Sequence, residues 1–368
     1  MEKNGLDATA RRAVGNLAEK AVIRFRNRSA FFDIEQEALI PRLSISDLST
    51  GDILGKGCFS HVYEVRILNE QEKKSAERLD LKRDAPNSSL CTFPYAIKHL
   101  CPTAMQNKKL FQIGSCDLAV EAQYLSCMQH EHIIKLHALS AQSITDAFST
   151  GALGAYFLIL DRLELTLQQK MKLWVKEEED SFKEMSCFEK LRPRSSNRTF
   201  TLPQRLVAAT SIASALQHLH QKNIMYRDLK PDNIGFDAHD TLKLFDFGLA
   251  KEIPPGYATE YRHTKMTGSL RYMAPEVARG LPYGLPADVY SFSILLWHLL
   301  SLEEPFSHHK DYDAFIEAVA YRMERPKSKK AAGPTTIHKL MCDSWAFIPS
   351  KRPTMDVILS IIFTVSMR

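Results

Sequence analysis

Four polar side chains lie close together along the middle of the chain. Asp228, Lys230 and Asn233 belong to the stretch Tyr-Arg-Asp-Leu-Lys-Pro-Asp-Asn at residues 226–233, and an Asp-Phe-Gly triplet begins at Asp246. The Asp228 carboxylate suits a group that accepts or orients the proton of an attacking hydroxyl, and Lys230 suits a cation that offsets charge on a migrating phosphoryl group. Asn233 and Asp246 supply hard oxygen ligands, the type that Mg²⁺ prefers. The pattern therefore predicts phosphoryl-transfer chemistry.

The same stretch resembles the catalytic loop and the metal-binding loop of protein kinases. One position departs from the family, because Tyr226 stands where a His is usual. The resemblance implies that Asp228, Lys230 and Asn233 are catalytic, and that Asn233 and Asp246 bind the metal.

A glycine-containing turn lies near the start of this region. Two strand-like runs flank it, as in a hairpin, and Gly55 and Gly57 let backbone amides approach phosphate oxygens without an intervening side chain. The turn is similar to the kinase glycine-rich loop, with Ser60 in place of the third glycine and Val62 placed over the adenine. The resemblance implies a set of nucleotide contacts here: Leu54, Gly55, Lys56, Gly57, Ser60 and Val62.

An alternating strand at residues 95–98 ends in Lys98. By resemblance, Ala96 and Lys98 contact the nucleotide, with Lys98 on the α- and β-phosphates. A helix is predicted over residues 117–125, and we expect its Glu121 to pair with Lys98, because Lys98 needs a carboxylate to fix its rotamer. In the family, formation of that ion pair distinguishes active from inactive kinases. Asp117 is the alternative partner, although it is better placed to stabilise the helix N-terminus.

A further strand, residues 155–160, leads into a segment that resembles the kinase hinge. The resemblance makes Leu160 the gatekeeper behind the adenine. It assigns residues 161–163, which include Asp161 and Leu163, to the hinge, whose backbone would bond the adenine. Three histidines in this region, His130, His132 and His137, suggest a separate metal site as an alternative. It is less favoured, because no Cys or carboxylate is suitably spaced beside them.

The segment after Asp246 resembles a kinase activation segment. Its hydroxyl residues are candidate phosphorylation sites for an upstream kinase, and a phosphate there would pair with Arg227; they are Tyr257, Thr259, Tyr261 and Thr264. Further along, the resemblance predicts that Glu276 pairs with Arg352 and that Asp288 binds the backbone of the catalytic loop.

Substrate class follows from the same comparison with the family. Lys230, with Thr267 ahead of Gly268, resembles the serine/threonine-specific pattern, and the stretch 267–276 resembles a docking site for protein substrates. The sequence around Asp288 has tyrosine-kinase-like character, so a dual-specificity kinase is an alternative. A pseudokinase scaffold is another; it would be favoured if a key catalytic residue were missing, and none is.

The implied fold is α+β and bilobal. We expect a small antiparallel-sheet lobe with one key helix at about 44–160 and a larger, mainly helical lobe at about 164–366, with ATP and Mg²⁺ in the cleft between them. Hydrophilic composition predicts inserted solvated loops at about 66–94 and 174–201. Residues 1–43 form a basic extension in which one amphipathic helix is plausible, and we favour a partly ordered arm with a solvated basic face.

Composition limits the other function classes. Among 368 residues, 48 basic and 43 acidic side chains give a formal charge of +5, too small an excess to demand nucleic acid or a membrane as partner. Seven cysteines, odd in number and without a Cys-x-x-Cys pair, indicate reduced thiols in an intracellular protein. The N-terminus lacks a signal-peptide core, and the longest apolar run, near residues 292–302, is too short to span a bilayer. We therefore expect a signalling protein of the cytoplasm or nucleus.

Overall fold

A computed structural model describes residues 6–66, 94–184, 200–254, 267–327 and 331–366. The chain divides into two compact units. The first unit comprises Met1–Glu164, Asp237–His239 and Asp246–Gly248, and the second comprises Leu165–Phe236, Asp240–Phe245 and Leu249–Arg368. Most of both predicted insertions and the four candidate phosphorylation sites lie outside the described residues.

A six-stranded sheet forms the centre of the first unit. Its strands are β1 (Arg42–Leu43), β2 (Ser49–Lys56), β3 (Ser60–Arg66), β4 (Tyr95–Leu100), β5 (Leu136–Ser140) and β6 (Phe157–Asp161). The spatial order is β1-β5-β6-β4-β3-β2. β1 pairs in parallel with β5, and every other neighbouring pair is antiparallel.

One face of this sheet carries an apolar cluster. Ile97, Val65 and Phe157 are buried there, together with Leu43, Tyr95, Ala138 and Ile159. Side chains alternate between the two faces of a strand. The residues on either side of Ile97, which are Ala96 and Lys98, therefore point to the opposite face.

Five helices accompany the sheet among the described residues: α1 (Ala8–Arg28), α2 (Ile34–Ala38), α3 (Pro102–Gln106), α4 (Lys108–Ser126) and α5 (Ile144–Thr150). Helix α4 contains the stretch predicted to be helical but begins well before it. The Asn107 side chain caps it by accepting hydrogen bonds from the backbone N–H of Lys109 and Leu110 at 3.0 and 3.1 Å. The expectation that Asp117 stabilises the N-terminus is wrong, because that residue lies inside the helix.

The N-terminal extension contains a long helix that packs on the first unit. Val14, Ala18 and Val22 of α1 are buried, at the four-residue spacing that places side chains on one helix face. Helix α1 contacts both α4 and α5. Our preference for a solvated, partly ordered arm is therefore wrong for residues 8–28, because burial of this stripe outweighs the high charge of the segment.

The second unit is mainly helical. Its α-helices are α6 (Leu167–Glu184), α7 (Leu202–Gln221), α8 (Pro275–Ala278), α9 (Pro286–Ser301), α10 (Tyr312–Ile316), α11 (Thr335–Ser344) and α12 (Met355–Ser366), and a π-helical turn follows α10 at Glu317–Tyr321. Its short strands are β7 (Leu165–Thr166), β8 (Ile224–Met225), β9 (Ile234–Phe236), β10 (Leu242–Leu244) and β11 (Lys251–Glu252). They form two small sheets, with the spatial orders β10-β9-β7 and β11-β8.

Helix α9 lies at the centre of this unit, and every residue from Ala287 to Ser301 is buried. Helices α7 and α11 pack against it. A helix that is apolar on all sides is typical of the interior of a large domain. Among the described residues, no helix combines the length and apolar composition that a bilayer crossing needs.

Helix α6 corrects the prediction of a solvated loop that begins at residue 174. Leu167, Met171, Trp174 and Glu178 are all buried, and their spacing places them on one helix face. Only residues 185–199 of the predicted insertion lie outside the described residues. The acidic run at 177–180 suggested a loop, although one of its residues faces inward.

That inward residue, Glu178, belongs to a buried polar network. Its Oε1 accepts hydrogen bonds from the backbone N–H and the hydroxyl of Thr201 at 2.8 and 2.7 Å and from Arg205 at 3.1 Å. Arg205 is fully buried and also donates to the carbonyls of Leu299 and Leu300 in α9, at 3.2 and 3.1 Å. The network therefore joins α6, α7 and α9.

The fold class is confirmed. One unit is built on a mostly antiparallel sheet with a long accompanying helix, and the other is mainly helical.

Glu178→Ala tests the buried network. Removing one partner of a buried ion pair leaves the other charge without compensation, which costs about 3–5 kcal/mol, so we expect a loss of that size in the free energy of unfolding. Glu177→Ala, which changes the exposed neighbouring residue, is the matched control. Equal stability of the two variants in urea unfolding would contradict the assignment.

A second prediction concerns His298 of α9. Burial and the charge of Arg271 lower its pKa to about 4, whereas the unfolded chain binds this proton near pH 6.5. Protonation below that pH therefore favours the unfolded state, and stability falls as the pH drops towards 4.

We expect His298→Gln to reduce the loss of unfolding free energy between about pH 7.5 and pH 5 by about 2 kcal/mol. Urea unfolding at both pH values measures this difference. His239→Gln, which changes an exposed histidine, is the control. An unchanged pH dependence in His298→Gln would show that another group governs acid stability.

Candidate active site

The predicted nucleotide-contacting residues of the sheet share one face. Gly55 on β2 pairs with Val62 on β3, which in turn pairs with Lys98 on β4. Ala96 on β4 pairs with Leu160 on β6. Directly opposed residues in antiparallel strands point to the same face, so strand register places these five side-chain positions together, opposite the apolar cluster.

The β2–β3 turn is the predicted glycine-containing loop. The Gly57 N–H donates to the Ser60 carbonyl at 2.7 Å. A Cβ at Gly57 would lie 3.2 Å from that carbonyl oxygen, closer than most side chains tolerate. Leu54 and Lys56 are exposed at the end of β2. The turn therefore combines a close backbone approach with an accessible surface.

Lys98 is a buried cation of the first unit that is held by two carboxylates. Lys98 Nζ donates to both Glu121 oxygens at 2.9 and 2.7 Å, and to Asp246 Oδ1 at 3.2 Å. The Lys98 and Glu121 side chains are only 10% and 3% exposed, whereas that of Asp246 is 48% exposed. Burial alone would lower the pKa of Lys98, but the carboxylates of Asp246 and Glu121 outweigh it and raise the pKa above its ordinary value.

The Asp-Phe-Gly segment is tied to helix α4. The Phe247 N–H donates to Glu121 Oε1 at 3.2 Å, and the Phe247 side chain is fully buried. Asp246 has a φ of +63°, a left-handed conformation that non-glycine residues adopt rarely and that is found at functional sites. Glu121 thus contacts both Lys98 and the backbone beside Asp246.

The predicted hinge lies at the end of β6. The Asp161 carboxylate bonds His137 Nε2 at 2.8 Å and the Lys135 N–H at 2.9 Å, so its side chain is directed to the segment around β5. Leu163 follows two residues later. Arg162, the middle residue of the predicted hinge, donates to Glu64 of β3 at 2.7 Å. Three polar contacts of Asp161 and Arg162 therefore hold the predicted hinge segment against β3 and the segment around β5.

The histidine alternative gains no support. His130 stacks edge-on against His132, and His137 is paired with Asp161. Within the described part of the chain, only one group of His, Cys, Asp and Glu is close enough to hold a metal ion, and it lies elsewhere, at His308, His309 and Glu324.

In the second unit, Asp228 is surrounded by hydrogen-bond donors. Its Oδ2 accepts from Lys230 Nζ at 3.0 Å and from Asn233 Nδ2 at 2.8 Å, and its Oδ1 accepts from Ser269 Oγ at 2.7 Å. Asn233 Nδ2 also bonds the Asp228 carbonyl at 2.9 Å. The contact of Ser269 with Asp228 was not predicted from the sequence. The feature that could have indicated it is a hydroxyl side chain directly after Gly268.

The backbone of this loop is fixed by one buried carboxylate. Asp288, 1% exposed, accepts from the N–H groups of Tyr226 and Arg227 at 2.8 and 2.9 Å and bonds His220 Nε2 at 3.0 Å. The predicted role of Asp288 is therefore confirmed. The Tyr226 hydroxyl donates to the carbonyl of Phe245, the residue before Asp246.

The neighbouring loop approaches this backbone closely. Arg227 has a φ of +69°, and Gly268 has a φ of +102°. A Cβ at Gly268 would lie 2.3 Å from the Arg227 carbonyl oxygen, so both conformation and space require glycine there. Arg227 also donates to the Leu249 carbonyl at 2.6 Å.

A buried ion pair anchors the end of the segment that follows. Arg352 donates to the two Glu276 oxygens at 2.6 and 2.9 Å, and the Arg352 side chain is fully buried. The predicted pairing is confirmed. Two fork-like hydrogen bonds of this kind fix geometry as well as charge.

Comparison with known proteins agrees with this geometry. Residues 48–363 match the family described as protein kinase domain, which is most of the chain. The chain therefore belongs to the protein kinase domain family.

Three curated relatives illustrate the match. The chain is 38% identical over 165 residues to "Dual specificity protein kinase shkD" of Dictyostelium discoideum, across 45% of this chain and 22% of the relative. It is 35% identical over 164 residues to "Serine/threonine-protein kinase STY17" of Arabidopsis thaliana, across 44% and 28%. It is 34% identical over 168 residues to "RAF proto-oncogene serine/threonine-protein kinase" of Xenopus laevis, across 44% and 26%. Each match covers less than a third of the relative's length.

Asp288→Asn tests how the catalytic-loop backbone is held. The amide NH₂ cannot accept hydrogen bonds, so one of the buried donors loses its acceptor, a loss worth about 1–3 kcal/mol. We expect a decrease of that size in the unfolding free energy. Asp343→Asn, at an exposed position of α11, is the control. A variant as stable as the wild type would show that Asp288 is not needed to hold the loop.

Proposed function

We propose that this chain is an ATP-dependent protein kinase that transfers the γ-phosphoryl group of ATP to Ser or Thr hydroxyls of protein substrates, in intracellular signalling. The observation that carries the proposal is the Asp228 carboxylate, with a lysine, an amide and a hydroxyl bonded to it. This set of groups suits a reaction in which positioning and electrostatics provide most of the catalysis.

Each group has a distinct task in this proposal. Asp228 orients the substrate hydroxyl and accepts its proton, and Lys230 offsets charge on the transferred group. Asn233 holds the Asp228 carboxylate in one orientation through its Nδ2. Ser269 restrains the other carboxylate oxygen. The four residues act as one hydrogen-bonded set.

The first unit supplies the nucleotide contacts. Lys98, held by Glu121, contacts the α- and β-phosphates, and Gly55 and Gly57 present backbone N–H groups to phosphate oxygens. Val62, Ala96 and Leu54 contact the adenine, and the hinge backbone at Asp161 and Leu163 bonds its edge; Lys56 and Ser60 complete the loop. Strand register, which puts Gly55, Val62, Ala96 and Lys98 on one face, supports this assignment.

Magnesium is the metal that the donor chemistry fits. Asp246 presents a half-exposed carboxylate, and the side-chain bonds of Asn233 described above use its Nδ2 and leave its oxygen out of them. These hard oxygen donors match Mg²⁺. When bound, Mg²⁺ neutralises charge on the phosphate oxygens.

The substrate class is supported by the names of the relatives, two of which are called serine/threonine kinases. The relative called a dual specificity kinase favours a second candidate, in which Tyr is also phosphorylated. A pseudokinase scaffold is disfavoured, because Lys98, Asp228, Asn233 and Asp246 are all present.

An upstream kinase is part of the proposal, with Arg227 as the anchor for a phosphate on the segment that holds Tyr257, Thr259, Tyr261 and Thr264. We also propose a cytoplasmic or nuclear location. The described cysteines are free thiols, as is usual in a reducing compartment.

Asp228→Asn is the decisive variant. The amide cannot accept the proton of the substrate hydroxyl, so we expect phosphate transfer from labelled ATP to a generic basic protein to fall by about 10²–10⁴-fold, with ATP affinity retained. Asp343→Asn, an exposed change, is the control. Transfer at the wild-type rate by Asp228→Asn would rule out the assignment of the base.

Phosphoamino-acid analysis of the product decides the substrate class. Phosphoserine and phosphothreonine are expected, and phosphotyrosine alone would refute the Ser/Thr proposal. A folded wild type that binds ATP without transfer is treated with an activating kinase. Recovered transfer then supports the kinase, and continued inactivity supports the scaffold.

A further inference from the structure

Helix α1 contacts the helix that carries Glu121, although it lies outside the part of the chain that matches the kinase family. The match begins at residue 48, whereas α1 and α2 end at Arg28 and Ala38. Helix α1 packs along α4, and α2 contacts α4 as well. An element outside the matched residues therefore touches the helix whose Glu121 pairs with Lys98.

One arginine makes the most specific of these contacts. Arg26 Nε donates to Gln123 Oε1 on α4 at 2.7 Å, and its NH2 lies 3.5 Å from Glu37 Oε1 on α2. Its guanidinium lies 5.0 Å above the Phe32 ring. Gln123 and Glu37 are 2% and 7% exposed. Arg26 thus joins three helices through polar groups that are largely removed from water.

Aromatic rings surround the same contact. The Tyr124 ring on α4, 2% exposed, lies edge-on to Phe25 at 4.7 Å and is stacked with Phe31 at 6.5 Å. At the end of α4, the Asp33 N–H donates to Cys127 Sγ at 3.3 Å. These contacts restrain α4 over its last two turns.

The helical geometry of α4 relates these contacts to Glu121. Successive residues are rotated by about 100°, so Gln123 lies about 200° around the helix from Glu121. Glu121 faces Lys98 on β4, and Gln123 faces Arg26. Helix α4 is therefore held from opposite sides, by the sheet and by α1.

Helix α1 is itself fixed in place on α5. A Cβ at Gly15 would lie 2.7 Å from the Thr145 carbonyl oxygen, which shows a close backbone approach. The Thr145 hydroxyl donates to Glu19 Oε2 at 2.6 Å. Because α1 is fixed on α5, the position of Arg26 relative to α4 is also fixed.

We propose that Arg26 is a positioning residue for catalysis, which fixes the rotation of α4 at which Glu121 meets Lys98. This rests on the proposed kinase function. A rotation of α4 that separates Glu121 from Lys98 also breaks the bond between Arg26 and Gln123, so the two contacts favour the same orientation. Helix α1 acts as a clasp that keeps the buried ion pair formed.

A double-mutant cycle separates positioning from general stability. Arg26→Ala is combined with Glu121→Gln, because a residue that acts through Glu121 loses its effect once that carboxylate is gone. We expect Arg26→Ala to lower kcat/KM for ATP about tenfold with Glu121 present, and by less than about twofold in the Glu121→Gln background. Equal losses in the two backgrounds would refute the proposal.

Two further variants guard this test. Arg28→Ala removes an exposed arginine from the same helix and is expected to keep wild-type kcat/KM. Gln123→Met removes the acceptor of the same hydrogen bond while keeping side-chain volume, and it replaces Arg26→Ala if that variant does not fold. The proposal would also be refuted if Arg26→Ala and Gln123→Met both kept the kcat/KM of Arg28→Ala.

Hydrogen exchange gives a readout that does not depend on phosphate transfer. Amides of α4 from Leu118 to Ser126 should exchange faster in Arg26→Ala and Gln123→Met than in the wild type and Arg28→Ala, with β4 amides unchanged. A wild type that stays inactive after treatment with an activating kinase would defeat the proposed function, and this exchange pattern would still show the clasp. Unchanged α4 exchange in both variants would refute the clasp, whatever the activity.

Discussion

The buried contact between Lys98 and Glu121 is the constraint on which the rest of the first unit depends. Each charge alone would be costly at such low exposure, and only a partner at hydrogen-bond distance offsets that cost. The contact therefore relates the rotation of α4 to the position of β4 in the sheet. Glu121 extends the constraint to the Asp-Phe-Gly segment through the Phe247 N–H.

The second unit applies the same principle to backbone groups. Helix α9 is buried on all sides, and its Asp288 carboxylate is satisfied by N–H groups of the catalytic loop and by a histidine. A loop cannot bury apolar surface as a helix does, so its conformation has to be set by such bonds. Arg227 accordingly keeps a left-handed backbone next to Asp228. A helix that is buried along its whole length thus holds an irregular loop.

The sequence was informative where chemistry is local. Lys98, Asp228, Asn233 and Asp246 could be predicted as site residues because their residue types and their spacing together favour a single chemistry. Glu121 followed because Lys98 needs a carboxylate to fix its rotamer, and that pairing is confirmed. Helix boundaries were less accessible. Asn107 caps α4 ten residues before Asp117, and the acidic run at 177–180 hid the inward-facing Glu178. The contacts of Ser269 and Arg26 were missed because their partners are distant in the chain and, unlike the pairing of Glu276 with Arg352, the resemblance did not imply them.

The position of α1 follows from the need to satisfy buried polar groups. Gln123 is buried on α4, and a buried amide needs a partner; Arg26 supplies it across an interface with Tyr124 and Phe25. The kinase family region alone contains α4 but not this partner, since the match begins after α1. Helix α4 in this chain therefore carries a side chain whose hydrogen bond is completed only by the preceding segment. Residues 8–28 thus contribute both a buried apolar stripe and a hydrogen-bond partner to the first unit, although their composition is that of a solvated arm.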